Sequence, residues 1–267
     1  MKKCKGIQTE RMISGDFVSY FSAFLTHNKI EFQLRDSCVF ESGKIEVKYL
    51  ETIPEDYKFI EKPINVWKDQ WFKYPEIVLS RLSSVLGLNQ KLPARVCNVR
   101  RVNQHIAEDF LNQNHLQQSI GAKLKYGLYL PKAYFRLLPE EFKPDSDELL
   151  LAVMTFSGAK KYYLEEKIVL SFELIRFANL NGFNVVGGFS KMLGYFVKEK
   201  TPGNIMTYID ADWSDGENFS KLGFELVEKT SPLYFVLDEN KNRIKVRDRV
   251  EAEIINSGSY KYILSEF

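Results

Sequence analysis

Apolar positions along the chain follow two alternating spacings, one helical and one of period two. Residues 15–28 place apolar side chains at helical intervals behind Asp16, a residue suited to cap a helix start. EFQLRD and CVFESGKIEVKYL then alternate apolar and polar positions as half-buried strands do, and PINVW adds a short strand. Between Asp69 and Leu88, Ile77, Val78, Leu82, Val85 and Leu86 fall on one side of a helix entered near Pro75 and closed at Gly87. NQKLP is the expected linker, so residues 1–90 read as a small α/β module.

A second unit is expected over 91–238. Its predicted order is a strand in ARVCNVRRV, a helix in HIAEDFLNQNH, a strand in KLKYGLYLP and a proline-containing excursion over 131–147. Apolar strands follow in ELLLAVMTFSG and VLSFELIRFANL, then NVV, a glycine pair and a helix. NIMTYIDAD, a short helix in GENFSKLGF, ELVEKT and LYFVLD complete it. Strands interleaved with helices predict an α/β (α+β) fold with a mixed sheet covered on its faces. Residues 239–267 form a basic extension in which Lys241, Arg243, Lys245, Arg247 and Arg249 recur at every second position. On a strand that spacing shares one face, either a solvated edge or a phosphate-contacting ribbon.

Composition narrows the functional classes. With 37 basic and 35 acidic residues among 267, no global field recruits nucleic acid, and any such affinity must be local. Residues 91–126 hold such a patch: Lys91, Arg95, Arg100, Arg101, Lys123 and Lys125 against Glu108 and Asp109. Cys4, Cys38 and Cys97 form no CxxC, so neither a disulfide framework nor a metal site is expected. The first residues lack the apolar core of a signal peptide, and no run is long enough to span a bilayer. A cytoplasmic protein without membrane contact is expected.

The candidate chemistry centres on FNVVGGFSKMLGYF, residues 183–196. A strand feeding a helix through glycines lets backbone N–H groups approach an anion, because no Cβ intervenes. Val186, Gly187, Gly188, Ser190 and Lys191 are therefore the candidate phosphate-binding residues. An ordinary turn explains a glycine pair equally well.

Asn114-His115-Leu116-Gln117, Met154-Thr155-Phe156, Glu173–Phe177, Val185–Lys191 and Lys221–Phe224 form an ordered series of short segments. In order and spacing they resemble the GNAT acyltransferase superfamily, and within it a phage-associated group that includes Mom-type DNA-modification proteins. The resemblance implies a mostly antiparallel sheet flanked by helices, acetyl-CoA or another acyl-CoA as cofactor, and transfer of its acyl group to an amine, on DNA in some relatives. It also implies that Glu173–Phe177 lies on the strand that pairs with the pantetheine arm. Four positions depart from the family pattern, one of them Gln118, which stands where a glycine is expected after the histidine motif. Asn184 and Phe189 replace the outer residues of Q/R-x-x-G-x-G/A, and Phe219 stands where a tyrosine often protonates the departing thiolate.

His115, Glu173 and Asp210 are the candidate catalytic residues: a base near neutral pH, a strand carboxylate, and a carboxylate at a strand end. Glu173 and Arg176, three apart on a strand, are expected on opposite faces. Gln117, Arg176 and Trp213 are candidates for holding the acceptor. Arg95, Arg100, Arg101, Lys241, Arg243 and Lys245 are candidates for nucleic-acid phosphates. A non-catalytic nucleic-acid-binding protein of the same fold is the alternative. A second alternative is a magnesium nuclease, because the first module resembles a very-short-patch-repair nuclease and offers Asp36 with Glu46-x-Lys48 on one strand face.

Overall fold

The structure, a computed structural model, describes residues 16–54, 64–140, 142, 144–164 and 167–265; Cys4 lies outside them. Helix α1 (Phe17–His27) starts where the Asp16 carboxylate accepts the Ser19 N–H at 3.2 Å. Strands β1 (Gln33–Arg35), β2 (Val39–Ser42) and β3 (Ile45–Leu50) form an antiparallel meander, and β4 (Ile64–Trp67) lies parallel to β3. The helix expected over 69–88 is two, α2 (Lys68–Lys73) and α3 (Pro75–Val85). Proline lacks the N–H a continuing helix needs but fits the first position of a new one. Phe17 knits this core together, stacking on Tyr49 at 4.7 Å and meeting the Trp71 edge at 5.1 Å.

The chain continues through β5 (Gln90–Pro93), β6 (Asn98–Arg101), α4 (Gln104–Asn114), β7 (Leu124–Pro131), β8 (Glu148–Phe156), β9 (Lys160–Leu164) and β10 (Lys167–Asn179). Then come β11 (Phe183–Val186), α5 (Gly188–Lys200), β12 (Asn204–Asp210), α6 (Glu217–Ser220) and β13 (Glu225–Lys229). Strands β14 (Tyr234–Leu237), β15 (Arg243–Val246), β16 (Ile254–Ile255) and β17 (Ser259–Leu264) complete the order. The main sheet runs β13-β17-β12-β10-β8-β7-β6, with β9 hairpinned onto β10. Every neighbouring pair in it is antiparallel except β10 and β12. Helix α5 covers one face through Met192 and Phe196, which pack with Phe156, Phe172 and Leu174. Helix α4 covers the other through Ala107, Phe110 and Leu111, which pack with Val153 and Ala178. The mixed, mostly antiparallel sheet expected from the sequence is the observed one.

The expected boundaries are crossed. NQKLP is not a free linker: its residues form β5, parallel to β11 from Gln90 opposite Phe183 to Pro93 opposite Val186. Leu116 and Trp213 pack into the N-terminal core. Residues 239–267 are not a simple extension, because β17 inserts between β12 and β13 inside the main sheet. Nor do the five alternating basic residues share a strand face. Lys241 occupies a turn with φ 59°, tied down by the Asp238 carboxylate, which accepts the Asn240 and Asn242 N–H groups. Strand β15 then ends at Val246, before Arg247 and Arg249.

Candidate active site

Strands β10 and β12 are in register only from Ser171 opposite Asn204 to Leu174 opposite Thr207. Beyond that point β10 follows β8 to Asn179, and β12 follows β17 to Asp210. The two parallel strands part and leave a wedge whose facing main-chain edges do not pair with each other among the described residues. A β-bulge at the parting starts the divergence. Leu174 pairs with Phe156 but Arg176 pairs with Thr155, so Ile175 is the extra residue.

The bulge corrects one expectation from the sequence. An inserted residue resets the alternation, so Glu173 and Arg176 share the α4 face instead of opposing each other. On β12, Ile205 and Ile209 point into the α5-side core. Asp210 therefore also belongs to the α4 face.

The α5 face of the wedge is aromatic. Phe189, half-buried, meets Phe177 of β10 at 5.1 Å and Phe219 at 5.3 Å; Phe219 meets Phe224 at 5.4 Å. Two of the departures from the family pattern, Phe189 and Phe219, thus pack against each other. Helix α5 begins here. Gly187 takes φ 76°, which L side chains rarely adopt, and turns the chain from β11 into the helix. Gly188 serves closeness instead: a Cβ there would lie 3.1 Å from Val185 and 3.3 Å from Leu128. The first helical bond joins the Lys191 N–H to the Gly187 carbonyl at 3.0 Å. The N–H groups of Gly188, Phe189 and Ser190 therefore have no partner within the helix, at its positive end. Ser190 and Val186 are exposed. Lys191 faces away from this corner, its ammonium donating to the Ala94 carbonyl at 3.0 Å and the Cys97 carbonyl at 2.6 Å. A groove of about 340 Å³ runs from Ser190 past Leu193, Gly194 and Val197 to Leu222.

The α4 face is polar. His115 caps the end of α4, and its Nδ1 accepts the Gln117 N–H at 3.1 Å. Burial holds its pKa well below the ordinary imidazole value, and the positive charges of Arg176 and Arg81 push the same way. A neutral ring with Nδ1 occupied carries its proton on Nε2 and is a donor there, not the base expected from sequence. Gln117 Nε2 donates to Asp210 Oδ2 at 3.1 Å, and the Asp212 N–H donates to Asp210 Oδ1 at 3.0 Å. Arg176 is held by carbonyls, Nε to Gln118 at 3.1 Å and Nη1 to Ile175 at 2.9 Å. Glu173 is fixed through its backbone: Ser157 Oγ accepts its N–H at 2.9 Å. Trp213 is buried in the N-terminal core beneath the Arg81 guanidinium, whose Cζ lies 4.5 Å from the ring centroid, so its face is not free to stack on a base. The structure brings together His115, Gln117, Glu173, Arg176, Asp210 and Trp213.

Sequence reasoning missed Arg81. It sits between Ile77 and Val85 at four-residue spacing, a cation within the apolar stripe of α3, and that interruption was the available signal.

The basic residues expected at phosphates do not form one patch. Arg100 makes a bidentate pair with Glu148 and stacks on Tyr129 at 3.6 Å; Arg101 pairs with Glu199. Arg243 grips the buried Asp69 with two bonds of 2.8 and 2.9 Å, tying the C-terminal hairpin to α2. Arg95, Lys241 and Lys245 are exposed. In the N-terminal module, Glu46 lies 3.8 Å from Arg35, and Asp36 occupies the turn after β1 with φ 49°. Among the described residues no cluster of His, Cys, Asp or Glu could hold a metal ion, and no helix is long and apolar enough to cross a membrane.

No protein-family model matches the sequence, and no curated protein matches it. Solved structures similar to the chain include Arabidopsis thaliana NAA60 with a bisubstrate analogue, at 12% identity over 64% of this chain and 99% of that one, TM-score 0.39. An N-acetyltransferase from Staphylococcus aureus matches at 8% identity over 63% and 97%, TM-score 0.34. The KacTA–DNA complex matches at 14% identity over 56% and 92%, TM-score 0.32. Likenesses this distant bear on neither activity nor ligand.

Proposed function

We propose that the protein is an N-acyltransferase that moves an acyl group from acyl-coenzyme A to an amine. The observation that carries the reading is the wedge itself: two parallel strands part at a bulge, with the open N-terminus of a helix at the mouth. An extended pantetheine arm carries amides that suit the parted strand edges. A diphosphate suits the N–H groups of Gly188, Phe189 and Ser190, where the helix dipole favours negative charge. Lys191 supports this corner by fixing α5 to the Ala94–Cys97 turn and does not itself reach a phosphate.

Acyl-coenzyme A supplies a thioester carbonyl that an amine can attack, forming C–N as C–S breaks. The chain's own groups then have three tasks. Asp210, held by Gln117 and the Asp212 N–H, takes up the ammonium proton. Arg176 and the Nε2–H of His115 stabilise negative charge on the α4 face. The phenylalanine cluster excludes water from the α5 side. Phe219 has no proton to give, so the departing thiolate takes one from another source.

Support for a nucleic-acid acceptor is weaker, because Arg100, Arg101 and Arg243 already hold carboxylates. The nuclease alternative lacks a metal-binding cluster among the described residues.

Calorimetry with acetyl-CoA on wild type and Ser190→Glu tests the reading. A carboxylate in the first turn of a helix favours the dipole, so the variant should fold at least as well as wild type. It should also repel a bound diphosphate and weaken binding about tenfold or more. Equal affinity in both proteins would remove α5 from the site.

A further inference from the structure

The α4 face holds two cations, Arg81 and Arg176, and two anions, Glu173 and Asp210, which act on one another at a distance. Among the described residues, neither Arg81 nor Arg176 lies within ion-pair distance of a carboxylate. Arg81 donates no hydrogen bond to any described residue, although its guanidinium carbon lies 4.5 Å from the Trp213 ring centroid. Burial depresses its basicity, and Asp210 is the charge that opposes this. Arg176 spends Nε and Nη1 on the Gln118 and Ile175 carbonyls, which fix its plane and leave Nη2 unspent. The loop bearing Gln118 holds a left-handed residue there, φ 54°, kept in place by Gln118 N–H and Nε2 bonds to the His115 carbonyl. A strained loop that positions an arginine, and a second arginine with all its donors open, both acting on the buried His115, make a prepared receptor for an anion.

We propose that the acceptor amine also bears an anionic group, a carboxylate or a phosphate, and that Arg81 and Arg176 bind it while Asp210 faces the amine. The proposal rests on the acyl-transfer reading and narrows its substrate class to small zwitterionic amines. The arginines keep donors open, and each Asp210 oxygen accepts one hydrogen bond and has a lone pair to spare, so a ligand with one charge of each sign suits both. Arg81 belongs to α3, so the N-terminal module completes the acceptor site rather than merely preceding it. The same contact that orients Arg81 covers the Trp213 ring.

The test follows the indole N–H resonance of Trp213 by NMR, assigned with Trp213→Phe, because Arg81 lies on that ring. Sodium acetate, inorganic phosphate and ethanolamine are titrated separately into wild type, Arg81→Gln and Arg81→Lys at constant ionic strength. Saturable shifts are expected in wild type with acetate or phosphate and not with ethanolamine; the anion that binds more tightly identifies the group. Arg81→Gln should weaken that binding about ten- to hundredfold, whereas Arg81→Lys, which keeps the charge and loses the fork, should fall between them. No saturable shift in wild type, or equal shifts in wild type and Arg81→Gln with the amide spectrum otherwise unchanged, would overturn the proposal. Acetyl-CoA calorimetry on the same samples separates the two readings. An anion response without cofactor binding would overturn the acceptor assignment through the acyl-transfer reading. Cofactor binding without an anion response would overturn the anion site alone.

Discussion

Asp212 shows how closely single residues at this site are tuned. Its Oδ1 accepts Ser257 Oγ at 2.6 Å, the Ser257 N–H at 3.1 Å and Asn65 Nδ2 at 3.3 Å, joining three distant parts of the chain. Its Oδ2 is buried without a partner among the described residues. Burial, and then the charge of Asp210, push its pKa from the ordinary 3.8 up to about 6. A raised carboxyl pKa stabilises the fold while the group is protonated, and that stability is lost as pH rises from about 4 through about 6. At pH 8 the group is a buried charge, which opposes folding. Asp212→Asn should therefore raise the unfolding midpoint relative to wild type at pH 8, with the gain shrinking towards pH 4; a gain independent of pH would rule out this cause. His115 works in the opposite sense. Its depressed pKa stabilises the neutral folded form above about 6.5, and that stability is lost as pH falls from there through the folded value. Its imidazole carbon resonances should stay those of a neutral ring at pH 6, and a charged ring at that pH would contradict the donor role.

At the scale of elements, the strand-to-helix turn carries the site. Gly187→Ala places a Cβ in left-handed backbone and should cost about 1 kcal/mol or more in urea unfolding; no loss would mean the turn relaxes by another route. The turn was legible in the sequence because its causes are local: an apolar run, two glycines, then helical spacing. The alternation of β3 and the apolar runs of β8 and β10 were legible for the same reason. The bulge at Ile175 was not, because it exists only in the register between β10 and β8. With it went the shared face of Glu173 and Arg176. The partners of Lys191, Arg100, Arg101 and Arg243 were equally hidden, since each lies far away in sequence and a run of charge does not say what it faces.

At the scale of the whole molecule, the two apparent units are one folding problem. Strand β5 pairs with β11, the Asn65 N–H donates to the Asp212 carbonyl at 2.8 Å, and Ser84 Oγ donates to Asn184 Oδ1 at 2.9 Å. Strand β17 fills the sheet between β12 and β13. A chain ending at Ser257 would strip β12 and β13 of their shared neighbour and should lose cooperative unfolding by circular dichroism; a true extension would be dispensable. That integration brings Arg81, Asp210 and the glycine corner to one wedge, and the central claim is that this wedge receives a thioester cofactor. The most direct measurement follows backbone amide resonances as acetyl-CoA is added. Saturable shifts are expected at Gly188, Phe189 and Ser190, moving together with those of Arg176 and Phe177 on the opened edge of β10. Resonances at these five residues that stay unmoved at millimolar acetyl-CoA would contradict it.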